Sequence, residues 1–329
     1  MRVARSLGLR EVRLEEVADP VAGPGEVVCR VLACGVCGSD VADDWVAPKL
    51  PAVLGHELAG EVTAVGDGVG TVAVGERVVV HHHAPCGECR RCRRGHETLC
   101  ERWRASALDP GGFAERVRVP GGLVGELLPV GGLDHERATF VEPLACVIRG
   151  QRVAGGVAGK TVAILGSGMS GLLHLLWARS QGATRIVGTD VHPYRLDAAR
   201  RAGADEIIDA GSATSLPKSD VVIVCTAAPA AMTQAFEAVD RGGTVLVFAL
   251  VAPRTDLRFP AYELWSRGVS VVPSYAGPPA DMRLALEAIA SQRVDVASLI
   301  SHRLPLDRTA EAFRLVAAAS DSMKVIVVP

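Results

Sequence analysis

The chain contains nine cysteines, and four of them lie within fifteen residues. The segment Cys86-Gly-Glu-Cys89-Arg-Arg-Cys92, followed by Cys100, has the spacing C-x2-C-x2-C-x7-C. Four thiolates from one short loop can complete a tetrahedral zinc shell that leaves no position open for water or substrate. The sequence therefore predicts a structural zinc site formed by Cys86, Cys89, Cys92 and Cys100.

A second set of metal-binding residue types is spread over three segments of the chain. Cys37 precedes Gly-Ser39, His56 is adjacent to Glu57, and Glu142 follows much later. Cysteine, histidine and carboxylate together suit a zinc ion that keeps one position for water or substrate. The pattern therefore indicates a catalytic metal site in addition to the structural one.

A glycine-rich segment has the spacing of a dinucleotide-binding turn. Gly166-Ser-Gly168-Met-Ser-Gly171 follows a predicted strand and begins a predicted helix. Gly166 allows the tight turn, Gly168 lets the backbone approach a pyrophosphate, and Gly171 lets the helix pack on the strand. Asp190, at the end of the next strand, is placed to accept hydrogen bonds from an adenine ribose, which favours NAD over NADP.

The alternative is a related domain that binds another nucleotide or none, with Asp190 acting as a helix cap. Arg195 lies one helical turn beyond Asp190, where it either packs along the adenine or forms a surface salt bridge. The predicted cofactor-binding residues are Gly166, Gly168, Met169, Ser170, Gly171, Asp190, Arg195 and Thr226.

Two different sequence patterns indicate two domains. Residues 1–146 contain short valine-rich runs between glycine and proline, which is typical of a β-rich domain. Residues 147–292 alternate short apolar strands with helical patterns, which predicts a Rossmann-type, doubly wound parallel sheet of the α/β class. Residues 293–329 again have a sequence pattern typical of β-strands. We therefore expect a nucleotide-binding domain at 147–292, inserted into a catalytic domain formed by 1–146 and 293–329.

Composition excludes several classes of protein. The 329 residues are 49% hydrophobic with a formal net charge of -2, which argues against a surface that binds polyanions throughout. Four arginines surround the cysteine-rich loop, but no aromatic residue interleaves with them and three glutamates dilute them, so we predict no nucleic-acid partner. No apolar run is long enough to span a bilayer, and we predict a cytoplasmic protein with reduced thiols and no membrane association.

Taken together, the motifs resemble the zinc-dependent medium-chain alcohol dehydrogenase family over nearly the whole chain. The matching text is GVCGSD at 35–40, GHE at 55–57, the cysteine-rich loop, GGFAE at 111–115, EPLA at 142–145 and GSGMSG at 166–171. Glu142 stands where classical members have a third cysteine ligand, which looks like the sorbitol and threonine dehydrogenase branch. The resemblance implies a GroES-like catalytic domain and a Rossmann domain.

The resemblance also implies roles for individual residues. Cys37 and His56 are zinc ligands, and the carboxylate ligand is Glu57 or Glu142, with the other acting through water. The hydroxyl of Ser39 begins a proton relay. Relatives often carry histidine three residues later, where this chain has Ala42. Asp43, Asp44, or water with the cofactor ribose would then continue the relay.

Three residues are candidates for the substrate pocket. His83 lies three positions before Cys86, as in members similar to threonine dehydrogenase. Trp45 follows the zinc cysteine and either lines the pocket or serves as packing. Arg104 falls where relatives contact substrate, and would suit a charged or polyhydroxylated molecule.

The predicted function is oxidation of a secondary alcohol, of the polyol, sugar or cyclitol type, using NAD and two zinc ions. A threonine-like amino-alcohol dehydrogenase is the nearest alternative. A zinc-knuckle regulatory or nucleic-acid-binding protein on the same scaffold is an alternative of another class. A zinc-free quinone or enoyl reductase is disfavoured, because that branch normally lacks both the cysteine-rich loop and the Cys37–His56 pair. The family resemblance also implies a homodimer or homotetramer.

Overall fold

The computed structural model describes residues 1–9, 11–249, 252–253, 255–256 and 258–329. Its contacts divide the chain into two units. The first comprises Met1–Pro143, Pro278–Ser291 and Val296–Pro329, and the second comprises Leu144–Gly277 and Gln292–Asp295. None of the helices within the described residues combines the length and the apolar character that crossing a membrane requires.

The regular elements are numbered here in chain order. The strands are β1 (Arg2–Gly8), β2 (Glu11–Glu16), β3 (Val27–Gly35), β4 (Ala52–Val53), β5 (Glu57–Val65), β6 (Arg77–Val80), β7 (Arg116–Val119), β8 (Leu127–Pro129), β9 (Thr161–Leu165), β10 (Arg185–Asp190), β11 (Glu206–Asp209), β12 (Ser219–Val224), β13 (Val239–Val247), β14 (Ser270–Pro273), β15 (Ile300–Pro305) and β16 (Lys324–Val328). The helices are α1 (Asp43–Val46), α2 (Arg90–Arg93), α3 (Glu101–Ala105), α4 (Gly121–Val124), α5 (His135–Ala138), α6 (Val141–Val153), α7 (Met169–Ser180), α8 (Pro193–Arg201), α9 (Pro229–Ala238), α10 (Ala261–Ser266), α11 (Pro279–Ala290) and α12 (Thr309–Ala318). Short 3-10 helices lie at Gly38–Val41, Ala47–Lys49, Glu97–Leu99, Ala297–Leu299 and Leu306–Arg308.

A seven-stranded sheet forms the frame of the first unit. Its strand order is β15-β16-β3-β5-β6-β8, with β7 also paired to β3. Neighbouring strands run antiparallel, except that β15 and β16 are parallel. A smaller sheet has the order β2-β1-β4. Strand β3 therefore contacts β5 on one side and β16, from the far end of the chain, on the other.

The core of the first unit is aliphatic. One buried cluster contains Val31 on β3, Leu58 on β5, Val325 on β16, and Phe113, which lies just before β7. Burying a side chain of this kind contributes about 1.5–3 kcal/mol, and a register slip of one residue would turn it towards solvent. Packing thus fixes the register of β5, β3 and β16, on which the position of the candidate metal ligands depends.

The second unit contains a six-stranded parallel sheet of order β11-β10-β9-β12-β13-β14. Strands β9 and β12 are almost continuously apolar, as expected for parallel strands covered on both faces. From β9 the chain adds β10 and β11 on one side of the sheet, and from β12 it adds β13 and β14 on the other side. A topological switch point therefore lies between β9 and β12. Ligands of such sheets bind beyond the carboxyl ends of the strands at that point. The predicted α/β fold class, with a doubly wound sheet beside a β-rich domain, is confirmed.

The contact-based units differ in part from the predicted segment boundaries. Helix α11 groups with the first unit, whereas the sequence prediction places 147–292 in one nucleotide-binding domain. The physical reason is local packing: the guanidinium of Arg137 donates a hydrogen bond to the carbonyl oxygen of Ile289 at the end of α11, at 3.4 Å. A helix pattern in sequence does not reveal which of two domains the helix packs against.

Candidate active site and metal centres

The four clustered cysteines lie together in the first unit. Their sulfur atoms all lie within 4.8 Å of one another. Sγ of Cys92 is 3.5 Å from Sγ of Cys89 and 3.9 Å from Sγ of Cys86. Four sulfurs at 2.3 Å from a tetrahedral zinc are about 3.8 Å apart. The donor set and its spacing therefore fit a zinc ion with no position left for substrate.

Local backbone geometry forms this cysteine-rich loop. Gly87 and Gly95 adopt φ values of +76° and +74°, where a side chain would be strained. Backbone N–H groups donate to sulfur, from Cys89 to Cys86 at 3.3 Å and from Cys86 to Cys100 at 3.4 Å. Burial acts to raise the pKa of the Cys100 thiol, but backbone hydrogen bonds outweigh it and lower that pKa to about 6. The loop thus favours thiolate, the form that binds metal, at Cys100, whereas burial raises the pKa of Cys92 to about 12.

The three residues Cys37, His56 and Glu57 also meet in the first unit, with one potential ligand atom from each within 4.8 Å of the others. Antiparallel pairing of β3 and β5 places Gly35 opposite Glu57, which brings the loop after β3 to the start of β5. Sγ of Cys37 caps the 3-10 helix Gly38–Val41 and accepts the backbone N–H of Ser39 at 3.5 Å. Burial and the charge of Glu57 raise the pKa of Cys37.

Asp40 joins two of these candidate ligands, and sequence reasoning did not single it out. This buried carboxylate accepts the backbone N–H of Cys37 at 3.0 Å, and its other oxygen lies 3.5 Å from Nδ1 of His56. Burial acts to lower the pKa of His56, but Asp40 and Cys37 outweigh it, and the pKa lies well above its usual value. A carboxylate on Nδ1 directs Nε2 towards a metal, as in carboxylate–histidine–metal arrangements.

Glu57 is fully buried and forms an ion pair with Lys324, which is also fully buried. Oε2 of Glu57 binds Nζ of Lys324, while Oε1 has no hydrogen-bond partner in the described part of the chain. An unpartnered buried carboxylate oxygen beside a thiol and an imidazole is what a metal ion would satisfy. The single lysine in the apolar final strand was the available sequence signal for this partner.

The other predicted catalytic residues occupy separate positions. Glu142 is 8% exposed, lies in the first turn of α6 and is not a member of the three-residue group. Ser39 is half-buried, two residues from Cys37. The choice between Glu57 and Glu142 as zinc ligand and the role of Ser39 stay predictions; the geometry favours Glu57 as the ligand.

A row of histidines lies beside His56. The ring centroids of His56 and His82 are 4.8 Å apart, and those of His82 and His83 are 4.0 Å apart. Nδ1 of His83 is 3.3 Å from Oγ of Ser106. Burial lowers the pKa of His83 to about 4, so this imidazole is neutral at pH 7. Neutral rings of this kind offer hydrogen bonds to hydroxyl groups without adding charge.

The remaining two pocket candidates lie at the surface. Trp45 is 37% exposed on α1, and Nζ of Lys49 lies 4.4 Å from the centroid of its ring. Arg104 is exposed on α3, next to the buried Trp103. The place of both residues in a substrate pocket stays a prediction.

The glycine-rich turn lies in the second unit, between β9 and α7. Gly166 has φ +97°, and Gly168 precedes the helix, whose first turn contains Met169 and Ser170. A Cβ atom on Gly171 would overlap the carbonyl oxygen of Gly166, so the helix and the turn approach each other only with glycine there. This close approach leaves the N-terminus of α7 open to phosphate.

Asp190 ends β10 beside this turn. Its buried carboxylate accepts backbone N–H groups of Ser167 at 2.9 Å, Val191 at 2.8 Å and His192 at 3.0 Å. The guanidinium of Arg195 lies 3.8 Å from the same carboxylate. A Cβ atom on Gly168 would lie 3.5 Å from the guanidinium carbon of Arg195, so this cation covers the middle glycine of the turn.

Thr226, two residues after the end of β12, borders the same turn. A Cβ atom on Gly166 would lie 3.2 Å from the Cβ atom of Thr226, and the Thr226 hydroxyl accepts the backbone N–H of Ala228 at 3.3 Å. The predicted nucleotide-binding residues are therefore neighbours in the second unit, and their contacts with a cofactor stay predictions.

Comparison with known proteins agrees with this arrangement. Residues 23–129 match the model for an alcohol dehydrogenase GroES-like domain, and residues 171–291 match the model for a zinc-binding dehydrogenase. L-threonine 3-dehydrogenase of Saccharopolyspora erythraea is 31% identical over 96% of this chain and 95% of its own length. Sorbitol dehydrogenase of Bacillus subtilis is 31% identical over 100% and 97%. A Sinorhizobium meliloti 1021 structure bound to NADP superimposes with a TM-score of 0.90, at 28% identity over 100% and 99% of the chains. With these motifs, this fold and relatives that match along its whole length, the chain belongs to the zinc-dependent medium-chain alcohol dehydrogenase family.

Proposed function

We propose that this protein is a zinc-dependent dehydrogenase that transfers hydride between a secondary alcohol and NAD. The substrate class we favour is a polyol, sugar or cyclitol. The observation that carries the proposal is the convergence of Cys37, His56 and Glu57 within 4.8 Å, with a buried carboxylate oxygen of Glu57 left unpartnered. The sorbitol dehydrogenase relative supports a polyol.

The site residues have different roles in the proposed reaction. Cys37, His56 and Glu57 hold the catalytic zinc, and Asp40 fixes the ring of His56. Bound zinc supplies a Lewis acid that lowers the pKa of a coordinated alcohol, and bound NAD supplies the hydride acceptor. The hydroxyl of Ser39 accepts the proton that the alcohol releases while it donates its own proton to water, to the cofactor ribose, or to Asp43 or Asp44. Ala42 cannot pass that proton on, because its side chain carries no acid or base.

We further propose that NAD is preferred over NADP. The carboxylate of Asp190 keeps about one of its four lone-pair sites free after accepting three backbone N–H groups, so it can accept a ribose hydroxyl. Its charge would repel a 2′-phosphate. Arg195 opposes this preference, because its guanidinium lies close enough to offset part of that charge.

A second zinc, held by the four clustered cysteines, has a structural role in this proposal. All nine cysteines are free thiols, which favours a reducing compartment such as the cytoplasm. We expect a homodimer or homotetramer, and we expect an alcohol of low molecular weight as the partner molecule rather than a nucleic acid.

An amino alcohol is the second candidate substrate. The L-threonine 3-dehydrogenase relative has the same identity as the sorbitol dehydrogenase relative. The stacked rings of His82 and His83 beside His56 would suit a substrate with a second polar group next to the reacting hydroxyl.

The test is a panel of polyols, sugars and amino alcohols offered with NAD or NADP and followed by the absorbance of the reduced cofactor. We expect turnover of at least one secondary alcohol. Cys37→Ser should abolish that turnover and leave NAD binding intact, whereas Cys146→Ser, outside both cysteine groups, should retain activity. Full activity in Cys37→Ser would overturn the catalytic assignment.

A further inference from the structure

Three neighbouring strands bring Glu57 and Lys324 together across a glycine. Gly35, at the end of β3, is opposite Glu57 on β5 and opposite Ile326 on β16. Two side chains on β5 and β16 are normally separated by whatever side chain β3 carries between them. A Cβ atom on Gly35 would lie 2.6 Å from Oε2 of Glu57 and would also overlap Nζ of Lys324. The ion pair therefore occupies the space that a side chain at position 35 would fill.

The pair is isolated from solvent. Both side chains are 0% exposed. Glu57 is the one ion-pair partner that the described residues give Lys324, whose ammonium otherwise faces the ring of Phe140 at 5.0 Å from the centroid. Leaving one member of such a pair buried alone is strongly destabilising. Lys324 is therefore the cation that binds Glu57 directly in this buried position.

A metal ion in the three-residue site would meet the same carboxylate. One oxygen of Glu57 binds Lys324 and the other is buried without a partner among the described residues, and one oxygen of this carboxylate lies within 4.8 Å of ligand atoms of Cys37 and His56. A divalent cation there would carry more positive charge than Lys324 does, and would satisfy the second oxygen. The lysine and the metal would thus act on one carboxylate.

We propose that Lys324 is a positioning residue that substitutes for the charge of the metal: it holds the buried Glu57 in place beside Cys37 and His56 before the metal binds. The inference rests on the proposed catalytic metal site. Its consequence is a coupling between residue 324 and the metal. Loss of Lys324 costs much stability in protein that lacks this metal and less in protein that contains it, because the bound ion then neutralises Glu57.

The test compares thermal unfolding of protein with two zinc ions and protein from which a mild chelator has removed the zinc of the open site. Metal analysis defines the two forms. Lys324→Met should lower Tm by roughly 10 °C in the form with one zinc, and by less than half of that with both zincs bound. Lys324→Arg, which keeps the charge, should resemble the wild type in both forms.

Two further variants test whether the loss of Tm comes from the Glu57–Lys324 ion pair itself. Lys324→Met combined with Glu57→Gln should unfold at a higher temperature than Lys324→Met alone in the form with one zinc, because no buried charge then lacks a partner. Lys160→Met is the matched control: Lys160 donates to the carbonyl oxygens of Gly155 and Gly156 in the second unit, so any loss should be the same in both forms.

Equal loss of Tm in the two forms for Lys324→Met would overturn the inference and leave the lysine a purely structural residue. If Lys324→Met does not fold, Lys324→Gln, which removes the charge but keeps a polar side chain, decides in its place by the same comparison. Wild-type protein that never binds a second zinc would overturn the proposed metal site itself, and with it the inference. Metal analysis of the wild type thus separates the two failures.

Discussion

The carboxylate of Asp40 lies 3.5 Å from Nδ1 of His56 while it also accepts the backbone N–H of Cys37 at 3.0 Å. One buried side chain thus orients two candidate metal ligands that are nineteen positions apart in the sequence. It connects the loop after β3 to the start of β5, independently of any metal.

Asp40→Asn should weaken the catalytic site without unfolding the protein. The amide keeps the size of the side chain but loses the charge that orients His56, and such changes cost roughly 10–100-fold in metal affinity or activity. Metal affinity and kcat/KM are the measurements. Asp67→Asn, at an exposed position of the first unit, is the control and should behave as the wild type. Unchanged metal affinity in Asp40→Asn would show that the carboxylate has no part in the site.

Asp190→Ala should erode the preference for NAD over NADP by about tenfold or more, because a hydrogen-bonding partner of the ribose and a repulsive charge are both lost. Arg195→Ala should act in the opposite direction, since it removes the cation that lies 3.8 Å from Asp190. The ratio of kcat/KM for the two cofactors measures both effects. The assignment of Asp190 to the ribose fails if that ratio stays the same.

Cys100→Ser should remove one zinc per chain and lower Tm, while NAD binding is retained. The four sulfurs form a closed set in the first unit, and the glycine-rich turn lies in the second. Metal analysis, thermal unfolding and NAD titration test the three parts. A variant that keeps about two zinc ions per chain would contradict the proposed structural site.

Acid should destabilise the protein partly through His174. This side chain is 0% exposed in α7, and burial lowers its pKa to about 3 from 6.5. Above pH 6.5 the imidazole is neutral in both the folded and the unfolded chain. As the pH falls below 6.5, only the unfolded chain gains the proton, so the free energy of unfolding falls by up to about 1.4 kcal/mol per pH unit.

Urea unfolding between pH 7.5 and pH 4.5 measures this effect. His174→Leu should show a shallower loss of stability with acid than the wild type, whatever its stability at pH 7.5. His96→Leu, at an exposed position, should keep the wild-type slope. Parallel slopes for wild type and His174→Leu would rule out His174 as the source.

Most of the features that could be predicted from the sequence depend on local patterns of residues. The cysteine-rich loop and the glycine-rich turn are each formed by residues close together in the chain, so their spacing alone indicates their geometry. Asp40 could also have been considered, since it lies three residues from Cys37. Its contact with His56, however, depends on the pairing of β3 and β5. Lys324 was not predictable, because strand β16 brings it to Glu57 over 267 positions of sequence. No periodicity specifies that β16 pairs with β3, or that α11 packs with the first unit.

The pairing of β16 with β3 also has a consequence for biosynthesis. Residues 37, 56 and 57 leave the ribosome early, but the lysine that balances Glu57 is translated 267 residues later. Until then the nascent chain holds a carboxylate with neither its lysine nor the strand that covers it. We therefore expect the catalytic half of the molecule to remain unfinished on the ribosome, and its metal to be acquired after release of the completed chain.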